Sequence, residues 1–154
     1  MCALANVLGF FAIPIGLTSI HLMQLPIILT ALSMGSWNAG IVGFIGPISM
    51  AYRLSPINPY ILLGNAILGS FTGFFFTHIK EMKGKPVVPQ VISVLAAYIV
   101  QVPYIYATDV YLMPLPSQVV LTIILPKLLL ENIISVLLCH FILFRIDIQN
   151  VLAS

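Results

Sequence analysis

Apolar residues fill this chain in six long stretches, and proline, glycine and a few charges mark the breaks between them. The first stretch runs from Cys2 to about Thr18, weakened near its end by Pro14 and Gly16. A mildly polar link, Thr18-Ser19-Ile20-His21, leads to a short second stretch, Leu22 to Met34, which ends at Gly35-Ser36. The third, Trp37 to Tyr52, carries Gly40, Gly43 and Gly46. The fourth covers Tyr60 to Ile79, the fifth Val87 to about Tyr106, and the sixth Gln118 to Phe144. A membrane helix needs roughly 20 apolar residues, so this pattern predicts an all-α integral membrane bundle of six transmembrane helices. The sixth stretch exceeds that length and is expected to tilt or protrude.

The connections are short and read as loops. Two prolines in Arg53-Leu54-Ser55-Pro56-Ile57-Asn58-Pro59 disfavour helix for the residues before them. Lys80-Glu81-Met82-Lys83-Gly84-Lys85-Pro86 is the most polar loop, and Thr108 to Ser117 contains Asp109, Pro114 and Pro116.

Composition agrees with the pattern. Of 154 residues, 60% are hydrophobic and 6% charged, whereas a soluble domain carries about a quarter charged residues. A single transmembrane domain over 1–154 fills the chain and leaves no room for a soluble catalytic domain. The six cations form no basic stripe of the kind phosphate backbones require, so no nucleic-acid partner is expected. Cys2 and Cys139 sit in apolar runs at opposite ends, with no metal knuckle or disulfide framework. With no Lys or Arg before Arg53, the first stretch lacks the positive start of a secretory signal and reads as a retained helix.

Positive charge also predicts orientation. Lys80, Lys83 and Lys85 place the loop between the fourth and fifth helices in the cytoplasm, and counting outward makes both termini cytoplasmic. Arg145 agrees; Arg53 faces outward and is either tolerated or used. The expected location is the cell membrane.

Small residues recur at helical spacing. Gly69 and Gly73 form GxxxG, and Ala39 with Gly43 and Ala5 with Gly9 form related pairs. Such grooves let backbones approach in lipid. Packing inside the bundle is the simpler reading, and a groove for a partner subunit, most attractive for the first helix, the sharper one.

Ionisable groups within a span are costly and default to functional hypotheses. Lys127 and Glu131 lie one turn apart in the sixth stretch, near mid-bilayer, with Asn132 beside them. They are either a structural pair or the holder of a polar ligand. Asn65 poses the same choice in the fourth stretch. The outer loops gather His21, Arg53, Asn58, Tyr60, Tyr104 and Asp109. Tyrosines at membrane ends ordinarily form an interfacial belt; together these residues also fit a lidded, aromatic-lined pocket. His78 and His140 have no partner at metal-ligand spacing. No HExxH, GxSxG, phosphate loop or fixed carboxylate pair is present, so neither an enzyme nor a cofactor is indicated.

The order of elements resembles a family. A polar link and a short helix, Leu25-Pro26-Ile27-Ile28-Leu29-Thr30-Ala31-Leu32-Ser33-Met34-Gly35, follow the first helix. Then come Ala39-Gly40-Ile41-Val42-Gly43-Phe44-Ile45-Gly46, a proline-containing loop and Asn65-Ala66-Ile67-Leu68-Gly69. This is similar to the substrate-binding S components of energy-coupling factor (ECF) transporters, most strongly from Leu25 to Gly73. The resemblance implies a micronutrient-capture subunit that binds substrate at the outer side. It then reorients on docking to a transmembrane coupling subunit driven by two ATP-binding cassette ATPases. Docking in that family uses an AxxxA pair in the first helix, which here is Ala5 and Gly9. The resemblance and the buried polar residues together make Lys127, Glu131, Asn65, Arg53, Asn58, Tyr60, Tyr104, Asp109 and His21 the expected substrate-binding set. A structural or assembly membrane protein, in which Lys127 and Glu131 only pack, is the alternative; a lipid-directed enzyme is a third, with no catalytic cluster to support it.

Overall fold

The computed structural model describes residues 1–15, 18–53, 57–81 and 87–146. Helix α1 spans Cys2–Phe10 and is followed by two antiparallel strands, β1 (Ala12–Ile15) and β2 (Thr18–His21), paired Ala12 to His21 and Ile15 to Thr18. Helices α2 (Gln24–Met34), α3 (Ser36–Ile45) and α4 (Ile48–Arg53) come next. The long helices are α5 (Tyr60–Ile79) and α6 (Val87–Ala107), the latter extended by a π-helical turn, Thr108–Leu112. The last begins as α7 (Ser117–Val119), passes through a π-helical turn, Val120–Ile124, and continues as α8 (Leu125–Ile146).

This is an all-α membrane bundle. Among the described residues, three helical segments, Tyr60–Ile79, Val87–Leu112 and Ser117–Phe144, are long and apolar enough to cross a bilayer. Of the shorter helices, α2 packs on α5 and α8 and α3 packs on α5, whereas α1 packs on α2, α3 and α4. Large apolar side chains point outward, among them Trp37, Ile99 and Phe144. Such a surface is a liability in water and the expected one in lipid.

Two expectations are corrected. The first apolar stretch does not stay helical to Thr18, because the chain folds into the β1–β2 hairpin. Pro14 has no N–H for a helical ladder, and Ile13, Ile15, Thr18 and Ile20 are β-branched residues that favour strands. The third stretch is two helices, broken at Gly46-Pro47, where Pro47 withholds a helical donor. In the final segment, Pro126 also lacks an N–H, and the turn before it widens to π. Lys83 and Lys85, two of the cations used for orientation, lie outside the described residues.

The glycine spacings are used inside the bundle. A Cβ on Gly69 would stand 2.5 Å from the Ala39 carbonyl oxygen of α3, and one on Gly43 would collide with the Asn65 backbone of α5. Helices α3 and α5 therefore touch backbone to backbone, and dispersion at that contact substitutes for the hydrophobic drive absent in lipid. Holding α5 this close fixes Gly64 and Asn65. A separate apolar core joins Leu25, Ile28 and Leu32 of α2 to Val94 of α6 and Val136 of α8.

Candidate substrate-binding site

At the Tyr60 end of α5, the ends of α5, α6 and the last helix diverge around a cavity of about 260 Å³. This is a little below the usual range of ligand pockets, about 300–1,000 Å³. Its walls include His21 from β2, Asn58 and Tyr60 at the start of α5, Asn65 one turn deeper, Tyr104 from α6, Asp109 from the π-helical turn that follows it, and Lys127 from α8. Seven of the nine expected site residues therefore share one chamber. Met23, Met50, Ile61, Ile105, Ile124 and Leu128 supply apolar walls. The Lys80 end of α5 lies about 30 Å away, at 1.5 Å per residue.

The polar residues are held by specific bonds. The His21 backbone N–H donates to Glu131 Oε1 at 3.0 Å, and His21 Nδ1 lies 3.3 Å from the same oxygen. Lys127 Nζ stands 3.7 Å from that oxygen and 3.5 Å from His21 Nε2. An ammonium only donates, so His21 Nε2 is the acceptor in that contact. This cluster ties the end of the hairpin to α8 and turns Lys127 toward the cavity. On the opposite wall, the Tyr104 hydroxyl donates to the Tyr60 carbonyl at 3.0 Å, and Asn58 Nδ2 lies 3.5 Å from Asp109 Oδ1.

Two expected site residues lie elsewhere. Glu131 is fully buried behind Lys127 and does not line the cavity. Its Oε1 meets the hairpin backbone N–H and Lys127, while its Oε2 is buried with no hydrogen-bond partner among the described residues. Arg53 does not line the cavity either. Its guanidinium donates to the Phe10 carbonyl at 2.6 Å and sits 4.7 Å over the Phe10 ring. An outlying cation thereby finds both a carbonyl and an aromatic face, clamping α4 to the end of α1. The small pair of α1 is also turned inward. Ala5 is fully buried against Gly46, and Gly9 is buried against Met23. In this conformation neither presents a surface to another subunit.

The comparison with known families bears on this architecture. A family model described as "ECF-type riboflavin transporter, S component" matches residues 1–147. The chain belongs to that family. No curated protein and no solved structure matches it significantly. As an ECF S component the chain is a multi-pass membrane protein and the substrate-binding subunit of an importer.

Among the wall residues of this S component that sequence reading missed is Gln101. It is 2% exposed, lines the cavity, and donates from Nε2 to the Gly64 carbonyl at 2.8 Å. A lone amide within an apolar run was its available signal, the same signal that marked Asn65. Asn65 in turn donates from Nδ2 to the Ile61 carbonyl at 2.9 Å. His78 and His140 are engaged elsewhere, with the Phe74 carbonyl and Gln90 respectively.

Proposed function

We propose that this S component captures riboflavin, or a flavin of the same shape, in the cavity between α5, α6 and α8. The observation that carries the reading is the convergence of one ammonium, two tyrosines and several amides on a largely apolar chamber, in a chain of this family. A flavin is a flat aromatic ring with carbonyls and ring nitrogens along one edge. Apolar walls suit its body, and the Lys127 ammonium is a donor for the acceptor edge. The Tyr60–Tyr104 pair supplies aromatic surface beside it. Glu131 acts from behind, by positioning Lys127 and the hairpin.

The Lys80 end faces the cytoplasm in this reading, with both termini, so the cavity opens outward. The substrate-loaded subunit then docks on a transmembrane coupling subunit whose ATP-binding cassette ATPases drive release inward. The nearly uncharged exterior suits a protein that reorients in lipid, since each exposed charge would oppose the movement. With Ala5 and Gly9 buried, docking through α1 uses its outward face, where Ala3, Leu4 and Val7 are exposed.

Mass spectrometry of small molecules co-purifying with the detergent-solubilised chain tests the reading. A flavin recovered near one per chain is the expected result. In cells lacking other flavin uptake, import is expected only when the coupling subunit and ATPases are co-expressed. A different vitamin in the cavity, or uptake by the chain alone, would contradict it.

A further inference from the structure

Helix α4 is only six residues long, and it is bonded to α1 at two points. The Ser49 hydroxyl donates to the Asn6 carbonyl at 3.4 Å, and the Arg53 guanidinium donates to the Phe10 carbonyl. The partners are spaced i, i+4 on both helices, so the two bonds share one face of each. Anchors a full turn apart stop α4 from sliding or turning on α1. The second anchor is also favoured by charge, since Phe10 closes α1 and its carbonyl lies at the negative end of that helix. Among the described residues, α4 makes no side-chain hydrogen bond to any other helix. Its link to α3 is the Gly46-Pro47 break, and Gly46 packs on Ala5 of α1.

The rest of α4 reaches the cavity. Met50 lines it, and the Ala51 carbonyl accepts the Asn58 backbone N–H at 3.2 Å. Asn58 lines the cavity too; its Oδ1 accepts the Tyr60 N–H at 3.1 Å, and its Nδ2 faces Asp109. A continuous run of contacts therefore leads from α1 to the cavity wall. We infer that Ser49 and Arg53 are positioning residues of the transport step, which make α1 and α4 one moving unit and carry a displacement of α1 to Met50 and Asn58. The inference rests on the proposed docking through the outward face of α1 and deepens it, by naming what docking moves inside the protein. Helix α3 cannot serve in this way, because its backbone is pressed on α5 at Gly43 and Gly69. A push on α1 passes instead to α4, and the two wall residues shift with it and loosen their hold on the flavin.

The test places the full-length chain in proteoliposomes with its coupling subunit and ATPases, and reads uptake of labelled riboflavin. Arg53→Met combined with Ser49→Ala removes both anchors. Riboflavin affinity of the isolated variant should stay within about threefold of the wild type, as for substitutions that do not touch the ligand. Co-purification with the coupling subunit should also be retained. Uptake should fall about tenfold, a usual size for coupling between two sites. A second chain fixes the same contact covalently. It carries Asn6→Cys and Ser49→Cys, with Cys2 and Cys139 replaced by alanine, and is bridged by a reducible bifunctional thiol reagent. Bridged chains should import as well as reduced ones, because the two helices never separate; this arm decides if the first variant does not fold. Undiminished uptake by the variant without anchors would overturn the inference. So would an affinity loss equal to the uptake loss, which would make the anchors part of the cavity. Loss of co-purification would overturn it by making them part of the docking face, and so would bridged chains that import only after reduction. A wild type that neither binds flavin nor docks would instead remove the proposed function, and this inference with it.

Discussion

Glu131 is buried at 0% exposure, and its one formal charge is answered by Lys127 and the His21 backbone N–H. That arrangement separates structural from binding roles at the residue scale. Removing one partner of a buried pair costs about 3–5 kcal/mol, because the other charge is left unpaired. Lys127→Met should therefore lower the unfolding midpoint in detergent and abolish flavin binding. The double variant Lys127→Met with Glu131→Gln keeps an acceptor for the hairpin and removes the stranded charge. It should recover most of the stability and none of the binding, read by thermal unfolding and flavin fluorescence. Recovery of both would make the pair merely structural. Lys127 and Asn65 were legible from sequence because a polar group inside an apolar run is conspicuous. Depth and direction were not legible. Glu131 sits behind Lys127, a turn away on the same helix, and Arg53 turns to Phe10, a residue 43 positions earlier in the chain. Sequence spacing says nothing about a partner that only tertiary folding brings near.

Among the elements, the α3–α5 contact and the hairpin do most to place the cavity. Ala39 stands so close to Gly69 that a methyl group there would press on backbone, whereas a Cβ on Gly64 would meet the Tyr104 ring at an ordinary 3.4 Å. Gly69→Ala should thus destabilise the bundle by about 1–3 kcal/mol, the usual range for overpacking. Gly64→Ala should leave the unfolding midpoint nearly unchanged. Equal effects in a detergent melting assay would contradict the packing account. The glycine spacings in α3 and α5 were visible in the sequence, and so were the three long spans. The hairpin was not, because Ala12 to Leu17 continues the apolar run of the first helix and only Pro14 and the β-branched residues hint at extension. The π turns at Thr108–Leu112 and Val120–Ile124 were likewise beyond an apolar pattern, which registers composition and not ladder spacing.

As a whole molecule, the chain is an apolar bundle with the polar side chains that line its cavity at one end and Lys80 at the other. The proposed orientation follows from that asymmetry and from the lysine loop. In a chain with Cys2 and Cys139 replaced by alanine, a cysteine at Tyr111, which is 74% exposed near the cavity end, should react with a membrane-impermeant thiol reagent in intact cells. A cysteine at Lys80 should react only after the membrane is opened. The reverse pattern would invert the protein and place its cavity on the cytoplasmic side. The most direct measurement is an equilibrium titration of the purified chain with riboflavin, beside a Gly64→Trp variant whose indole would fill the cavity. The account predicts one tight site per chain in the wild type and no binding in a variant that still unfolds cooperatively. A variant that binds flavin as the wild type does would contradict it, because the ligand would then sit somewhere other than between α5, α6 and α8.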